Sequence, residues 1–249
     1  MLNLLWRNVK WRFKNKFTII ITILQPLLWL VLYSVVANST MKDVGITNYT
    51  AFILPGVMFL VTFSSCSSGG MMNFLMKSEG GFYRILISPV KRSYIVLAQM
   101  LEAILVSLFE VAILCLISIF FSVHINSGFI GVLLIISLIF LAAFFISGLA
   151  YAISLSLPNE VIYETIMTAI VLPIFFLSTA LFPAESLSGG LKTVVNLNPF
   201  THVINVIREL IFNKTIELNK IALVILLFII LCTCSFLLAM RRLKKETAS

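Results

Sequence analysis

Carboxylates within long apolar runs are the residues of this sequence whose chemistry stands out. Glu110 lies well inside a run at about 94–122, and Glu102 lies nearer its start. Glu160 and Glu164 are spaced i,i+4 near the start of another run, so they share a face if that run is helical. In a membrane span, each charge costs about 2.5–3.5 kcal/mol on insertion scales, so these residues are functional candidates. A structural role, in which each carboxylate is protonated, paired or interfacial, is the alternative for all four.

Motifs of catalytic sites are absent from the sequence. It has no phosphate-binding Gly-x-x-x-x-Gly-Lys-Ser/Thr, no His-Glu-x-x-His and no nucleophile elbow, and His124 and His202 stand alone. The cysteines lie in apolar runs without metal-ligand spacing, which indicates structural thiols: Cys66, Cys115, Cys232 and Cys234. We therefore expect no enzymatic activity, cofactor or metal on this chain.

Composition identifies the elements that carry these residues. The 249 residues are 60% hydrophobic and only 11% charged, against about 25% charged in a soluble domain. A membrane-spanning helix needs about 20 apolar residues. Six runs are long enough: 17–37, 51–75, 94–122, 128–157, 161–182 and 221–240. The sequence predicts an all-α integral membrane protein with six transmembrane helices and no space for a soluble catalytic domain, so any energy source lies on another chain.

The basic residues orient these runs, because membrane proteins concentrate Lys and Arg on the cytoplasmic side. Thirteen lie before the first run, between the second and third, or after the sixth, and five lie in the other connections. Both termini are therefore predicted to be cytoplasmic, in a plasma or inner membrane. The net charge of +8 is explained by topology and does not indicate nucleic acid.

The N-terminal segment, 1–16, is predicted to be an amphipathic interfacial helix. At 100° per residue its apolar residues fall on one arc (Leu2, Leu5, Trp6, Val9 and Phe13) and basic residues fall on another (Arg7, Lys10 and Lys14). Such a helix lies in the inner membrane interface and contacts lipid. A simple basic flank is the alternative. We expect one domain over 1–249: this helix, a six-span bundle over 17–240 and a basic cytoplasmic tail over 241–249.

Two connections have patterns of their own. Between the second and third runs, Gly80-Gly81 breaks the helix, 82–87 can form a short helix, and Pro89 ends it. This short, charged element is suited to dock a partner. The segment 182–218 is apolar but broken by Pro183, Gly189-Gly190 and Pro199. It predicts short external helices that re-enter the membrane, with Phe200, Val203, Ile204, Ile207 and Ile211 on one face and Asn205, Arg208 and Glu209 off it.

The order of these features resembles the permease subunit of type 2 ABC exporters, which include drug-resistance, lipid and polysaccharide export permeases. The resemblance covers essentially the whole chain. Besides the basic N-terminal helix, it is carried by four motifs: Tyr49 to Gly56 opening the second run, the loop from Glu79 to Pro89, Leu181-Phe182-Pro183, and Asn198-Pro199-Phe200-Thr201 with Arg208. It implies two permeases, identical or paralogous, with two cytoplasmic ABC ATPase subunits that bind ATP and Mg²⁺.

The resemblance also implies roles for particular residues. Contact with the ATPase would involve the coupling-helix loop and the connection before the fifth run: Glu79, Phe82, Tyr83, Arg84, Ser88, Pro89 and Glu160. The permease interface and substrate pathway would involve the first, second and fifth runs: Gln25, Trp29, Tyr33, Phe59, Phe63, Ser67, Thr168, Phe175, Phe176 and Thr179, with Glu110 as a further candidate. Ordinary helix packing is the alternative for these stripes.

The favoured function is outward movement of an amphipathic substrate, such as a drug, a lipid, a lipid-linked glycan or a lipopeptide, driven by a separate ATPase. An ion-coupled secondary transporter is the alternative; it would normally show paired intramembrane carboxylates or internal repeats, and neither is evident. An intramembrane enzyme is disfavoured by the missing catalytic motifs.

Overall fold

The structure is a computed structural model that describes residues 2–14, 20, 24, 27–32, 34–35, 48–87, 90–183, 188–215 and 217–246. All regular secondary structure in these ranges is helical. The helices are α1 (Leu2–Lys14), α2 (Tyr49–Ser78), α3 (Gly81–Ile87), α4 (Arg92–Phe120), α5 (Gly128–Ser156), α6 (Glu160–Phe176), α7 (Gly189–Leu197), α8 (Pro199–Phe212) and α9 (Leu218–Glu246). Residues 27–32 and 34–35 of the first apolar run are also helical.

Four of these helices, α2, α4, α5 and α9, are long and apolar enough to cross a membrane. They correspond to the second, third, fourth and sixth predicted runs. The fifth run forms α6, which has 17 residues, and then turns instead of continuing to 182. Pro173 falls in the last turn of α6, where it removes one backbone donor from the helix. Most of the first run lies outside the described residues.

Helix α5 lies at the centre of the bundle and packs against α2, α4 and α9, while α2 also packs against α4, α6 and α8. We name the two ends of the bundle by helices. At the α3 end, Lys77 of α2 donates to the Leu155 carbonyl of α5 (3.1 Å) and pairs with Glu246 of α9 (2.6 Å). At the α8 end, Asn126 of the α4–α5 turn donates to the Phe212 carbonyl (2.9 Å). Each end is thus cross-linked by polar contacts.

The predicted break after the second run is confirmed. Helix α2 ends at Ser78, and Gly80 has φ = +77°, a conformation that glycine adopts without strain. Helix α9 continues to Glu246, so the first part of the predicted basic tail is helical. Leu243 is fully buried beside Phe82 of α3, so packing against the bundle stabilises these last helical turns.

The predicted helix after Pro199 is confirmed as α8, and the five apolar residues assigned to one face are all buried. Its second residue, Phe200, contacts Phe59 of α2 (ring centroids 4.3 Å apart), Phe228 of α9 (5.6 Å) and Phe145 of α5 (6.0 Å). Phe59 and Phe228 each lie ten residues inside their helices. Helix α8 therefore begins about 15 Å inside the bundle and ends at its surface.

Candidate functional site

A cavity of about 510 Å³ lies between the first apolar run, α2 and α6. We call it the α2–α6 cavity. It is lined by Trp29 of the first run, by Leu60, Ser64, Ser67, Ser68 and Met71 of α2, and by Tyr163, Glu164, Thr168, Val171, Leu172, Phe175 and Phe176 of α6. Its walls combine aromatic and aliphatic surface with hydroxyl groups. Pockets of about 300–1,000 Å³ with such walls accommodate drug-sized molecules.

The structure brings together five residues that the sequence assigned to the pathway: Trp29, Ser67, Thr168, Phe175 and Phe176. Gln25 and Tyr33 lie outside the described residues.

Other candidates for the pathway lie away from this cavity. Phe59 and Phe63 are 2% and 3% exposed in the core of the bundle. Thr179 is buried and donates to the Asn205 amide oxygen (2.7 Å). These three side chains therefore position the helices around the cavity.

Several lining residues of α6 were absent from the predicted pathway, among them Tyr163, Glu164 and Val171. Tyr163 donates from its hydroxyl to the Ser67 carbonyl (2.8 Å), which joins α6 to α2. Glu164 is exposed, and its carboxylate makes no hydrogen bond or ion pair with any described residue. Glu164, Thr168, Val171 and Phe175 recur at helical spacing, so the pathway face could have been extended to Glu164 from the sequence.

Glu110 lies in the middle of α4, is 4% exposed, and accepts a hydrogen bond from the Ser65 hydroxyl of α2. The α2–α6 cavity does not include it. This contact joins α2 to α4 within the bundle, and a structural role accounts for it.

Glu102 forms a buried ion pair with Arg12 of α1. The guanidinium Nη1 lies 3.2 Å from Oε1 of Glu102, and Nη2 donates to the Ser68 hydroxyl (2.9 Å). Nearby, Asn8 of α1 donates to the Gln99 amide oxygen (3.2 Å). Helix α1 is therefore bound to α2 and α4 by polar contacts of Arg12 and Asn8, while the predicted basic face of Arg7, Lys10 and Lys14 is exposed. Glu102 is therefore a paired carboxylate, as the structural alternative for this residue expected.

The α3 end carries the residues assigned to ATPase contact. Phe82 is fully buried, with Ile85 beside it at 6% exposure, whereas Tyr83 is 49% and Ile87 is 84% exposed. Phe82 therefore anchors α3 to the bundle, and its assignment as a contact residue is revised: the exposed surface is that of Tyr83 and Ile87.

The other residues assigned to ATPase contact are distributed around α3. Glu79 is exposed and follows the last residue of α2 as its C-cap. Glu160 is exposed in the first turn of α6, which Asn159 caps by accepting from the backbone N–H of Ile162 (2.8 Å). Ser88 and Pro89 lie outside the described residues, as does the Arg84 side chain.

At the α8 end, Arg208 joins α8 to α2 and to the turn after α6. Its guanidinium donates to the carbonyls of Phe52 (3.1 Å) and Thr179 (2.5 Å) and to the Asn205 side chain (3.1 Å). It also lies 3.8 Å from the centroid of the Phe52 ring. The sequence placed Arg208 off the buried face, but its long side chain reaches back across the helix.

Asn198 has a related role between α6 and α8. Its side-chain oxygen accepts from the Phe200 backbone N–H (3.0 Å), and its amide nitrogen donates to the carbonyls of Ile174 and Leu177 (2.8 Å each). One side chain thus caps the beginning of α8 and the end of α6.

Four apolar helices in the described part of the chain are long enough to cross a membrane, which is the architecture of an integral membrane protein. The chain belongs to the ABC-2 type transporter family, whose family profile matches residues 1–212. This confirms the resemblance drawn from the sequence, and the family implies association with an ABC ATPase.

Among curated proteins, the chain is similar to "Putative transport permease ycf38" of two algae. It is 28% identical to the protein of Cyanophora paradoxa over 79% of this chain and 69% of the relative. It is 27% identical to the protein of Porphyra purpurea over 79% of this chain and 68% of the relative. Both names describe a transport function and do not state which molecule is transported.

Proposed function

We propose that the chain is the membrane-spanning permease subunit of an ATP-driven ABC exporter, which moves an amphipathic molecule outward with energy from a separate ATPase. The α2–α6 cavity is the observation that carries this proposal. It brings together side chains from the first, second and fifth apolar runs, which are the runs to which the family resemblance assigns the pathway.

The shape of the cavity suits passage along the bundle. Its lining extends from Leu60 to Met71 of α2 and from Tyr163 to Phe176 of α6. At 1.5 Å per residue these stretches are about 16 and 20 Å long, roughly half the thickness of a bilayer core or more. Aromatic and aliphatic groups can hold the apolar part of a cargo, and the serine and threonine hydroxyls can bind polar groups.

A second permease, identical or paralogous, would complete the pathway. Large apolar residues of the lining are partly exposed on this chain: Trp29 is 39%, Leu172 is 46% and Phe176 is 57% exposed. Two bundles that face each other here would enclose the cavity and could open it by moving apart.

The surface of α3 would receive the force from two ATPase subunits, which would bind ATP and Mg²⁺. Tyr83 and Ile87 present exposed side chains, while Phe82 and Ile85 hold the helix on the bundle. Glu79, Arg84, Ser88, Pro89 and Glu160 are the further contact residues of this proposal. Because α2 leads from α3 past the cavity to the α8 end, a displacement of α3 would be transmitted along one rigid helix.

The orientation of the chain in the membrane follows from its basic residues. These cluster at the N-terminus, beside α3 and at the end of α9. The α3 end and both termini would face the cytoplasm, in a plasma or inner membrane. With this orientation α8 would re-enter the membrane from outside, and α1 would lie at the inner interface. Leu2 and Trp6 of α1 are 74% and 69% exposed, as expected for residues that contact lipid.

Transport into inside-out vesicles tests the proposal. Vesicles that contain the permease with its ATPase should accumulate a fluorescent amphiphile only with ATP, and vanadate should stop accumulation while a protonophore should not. Thr168→Trp, which fills the α2–α6 cavity, should abolish accumulation. Thr165→Trp is the matched control, because Thr165 is exposed on α6 outside the cavity lining. Accumulation driven by an ion gradient without ATP would instead establish a secondary transporter.

A further inference from the structure

We propose that the α2–α6 cavity selects amphipathic cations, with Glu164 as the residue that recognises the positive charge. The inference rests on the proposed function, since it names the chemical class of the cargo. Among the described lining residues, Glu164 supplies a carboxylate, and no Lys, Arg or His side chain lines the cavity. The fixed charge of the described lining is therefore negative.

The Glu164 carboxylate is available to a ligand. It is exposed, and no described residue pairs with it or donates a hydrogen bond to it. The other acidic side chains that face the bundle are engaged: Glu102 pairs with Arg12, and Glu110 accepts from Ser65. A cation that enters the cavity thus finds one carboxylate whose charge is not already neutralised.

Aromatic rings strengthen this preference for cations. Of the aromatic residues that line the cavity, Trp29 and Phe176 are 39% and 57% exposed, whereas Tyr163 and Phe175 are buried. The face of an aromatic ring is electronegative and attracts a cation, most strongly for Trp. The same faces repel an anion of equal size. Glu164 and the exposed rings of Trp29 and Phe176 therefore favour the same sign of charge, while the apolar walls accept the rest of the molecule.

Arg12, a described basic residue beside the cavity, does not reverse this sign. Arg12 reaches the cavity wall from behind, where its Nη2 donates to the Ser68 hydroxyl (2.9 Å). Its charge is compensated by Glu102, whose Oε1 lies 3.2 Å from Nη1. The Arg12–Glu102 pair thus leaves the cavity wall close to neutral, and Glu164 determines the net charge that a cargo meets.

The position of Glu164 also orients the cargo. It lies in the first turns of α6, at the α3 end, whereas Phe175 and Phe176 lie near the other end of the helix. About 16 Å of helix separates Glu164 from Phe175. An amphipathic cation would place its charged group toward the α3 end and its apolar body toward the aromatic residues. Lipophilic ammonium and phosphonium compounds have this chemistry.

Two hydrophobic ions of nearly equal size and opposite charge provide the test. The full-length permease in nanodiscs is titrated with radiolabelled tetraphenylphosphonium, and saturable binding is measured after subtraction of empty nanodiscs. We expect tetraphenylphosphonium to bind with at least about tenfold higher affinity than tetraphenylborate. Glu164→Gln should weaken phosphonium binding about tenfold and leave borate binding unchanged or stronger, a difference of about 1.4 kcal/mol. Glu217→Gln, which removes the same charge at the α8 end, is the matched control.

The outcomes separate this inference from the proposed function. Equal affinity for both ions, or no effect of Glu164→Gln, would overturn selection of cations; if Thr168→Trp still abolished binding of both ions, the cavity would remain the cargo site. If neither ion bound saturably, the cargo site would fail together with the inference. Loss of phosphonium binding in Glu217→Gln as well would assign the effect to overall charge and overturn the role of Glu164.

Discussion

Gly56 of α2 lies directly against Ala180 in the turn that follows α6. A Cβ on Gly56 would be 2.7 Å from the Ala180 Cβ and 2.9 Å from its backbone. Close by, the Tyr49 hydroxyl donates to the Leu181 carbonyl (3.0 Å). The two helices that line the cavity are therefore joined at the α8 end, and the Pro55-Gly56 motif has a physical explanation: only a residue without a side chain permits this approach.

Gly56→Ala should destabilise the bundle, because the added methyl group overlaps backbone atoms that cannot move aside. Overpacking of this kind costs about 1–3 kcal/mol. The melting temperature of the detergent-solubilised chain should fall by several degrees. Gly190→Ala is the control, since a Cβ there meets no atom within 4 Å. Equal melting temperatures for the two variants would show that α2 and the turn are not in close contact.

Arg208→Gln should lower stability because it leaves the carbonyls of Phe52 and Thr179 without their donor at a partly buried site. We expect a loss of about 1–3 kcal/mol in the free energy of unfolding, seen as a lower melting temperature. Lys214→Gln, which removes an exposed positive charge beyond the end of α8, should change little. The same decrease in both variants would contradict a bridging role for Arg208.

The long helices were predictable from sequence because they follow from continuous apolar runs, and a run must become a helix if it crosses a bilayer. The buried face of α8 was also predictable, because its apolar residues recur at helical spacing. Periodicity does not indicate which residue, distant in sequence, a buried side chain will contact. Arg12 and Glu102 are separated by 90 residues, and nothing in either local pattern indicates that they meet.

The buried face of a short helix could not be predicted from the sequence. In α3, both faces are apolar, with Phe82 and Ile85 on one side and Tyr83 and Ile87 on the other. Which face is buried depends on the helices beneath it, here α4, α5 and α9, and local composition does not encode that choice. Five residues assigned to the pathway from the family resemblance and helical spacing do line one cavity, because helical spacing places them on the same faces of their helices.

Removal of either partner of the Arg12–Glu102 pair should cost more than removal of both. Arg12→Gln leaves the buried Glu102 carboxylate uncompensated, and Glu102→Gln leaves the guanidinium unpaired, each at about 3–5 kcal/mol. The double variant, Arg12→Gln with Glu102→Gln, should recover part of this loss. A double-mutant cycle on the melting temperature measures the coupling, and additive effects would contradict a direct interaction.

Glu110→Gln should leave export within about twofold of the unsubstituted chain, because a glutamine oxygen can still accept from Ser65. Glu110→Leu should reduce the amount of folded protein, since the Ser65 hydroxyl then loses its acceptor inside the bundle. Vesicle transport normalised to the amount of folded permease separates the two effects. Loss of export in Glu110→Gln with normal folding would place this carboxylate in the transport mechanism.

Phe82→Ala and Tyr83→Ala change adjacent residues of α3, but the first should lower stability and the second should lower ATPase binding and transport. Phe82 is fully buried in a cluster with Met100, Tyr151 and Leu243, so truncation leaves a cavity and should cost the isolated permease about 3–5 kcal/mol. Tyr83 is 49% exposed, so Tyr83→Ala should leave the melting temperature nearly unchanged but weaken co-purification of the ATPase and lower ATP-driven transport. Tyr94→Ala, which truncates another exposed tyrosine at the start of α4, controls for loss of aromatic surface. If Tyr83→Ala retained full ATPase binding and transport, α3 would not be the surface through which force arrives, because Tyr83 is the aromatic side chain that this helix presents outward.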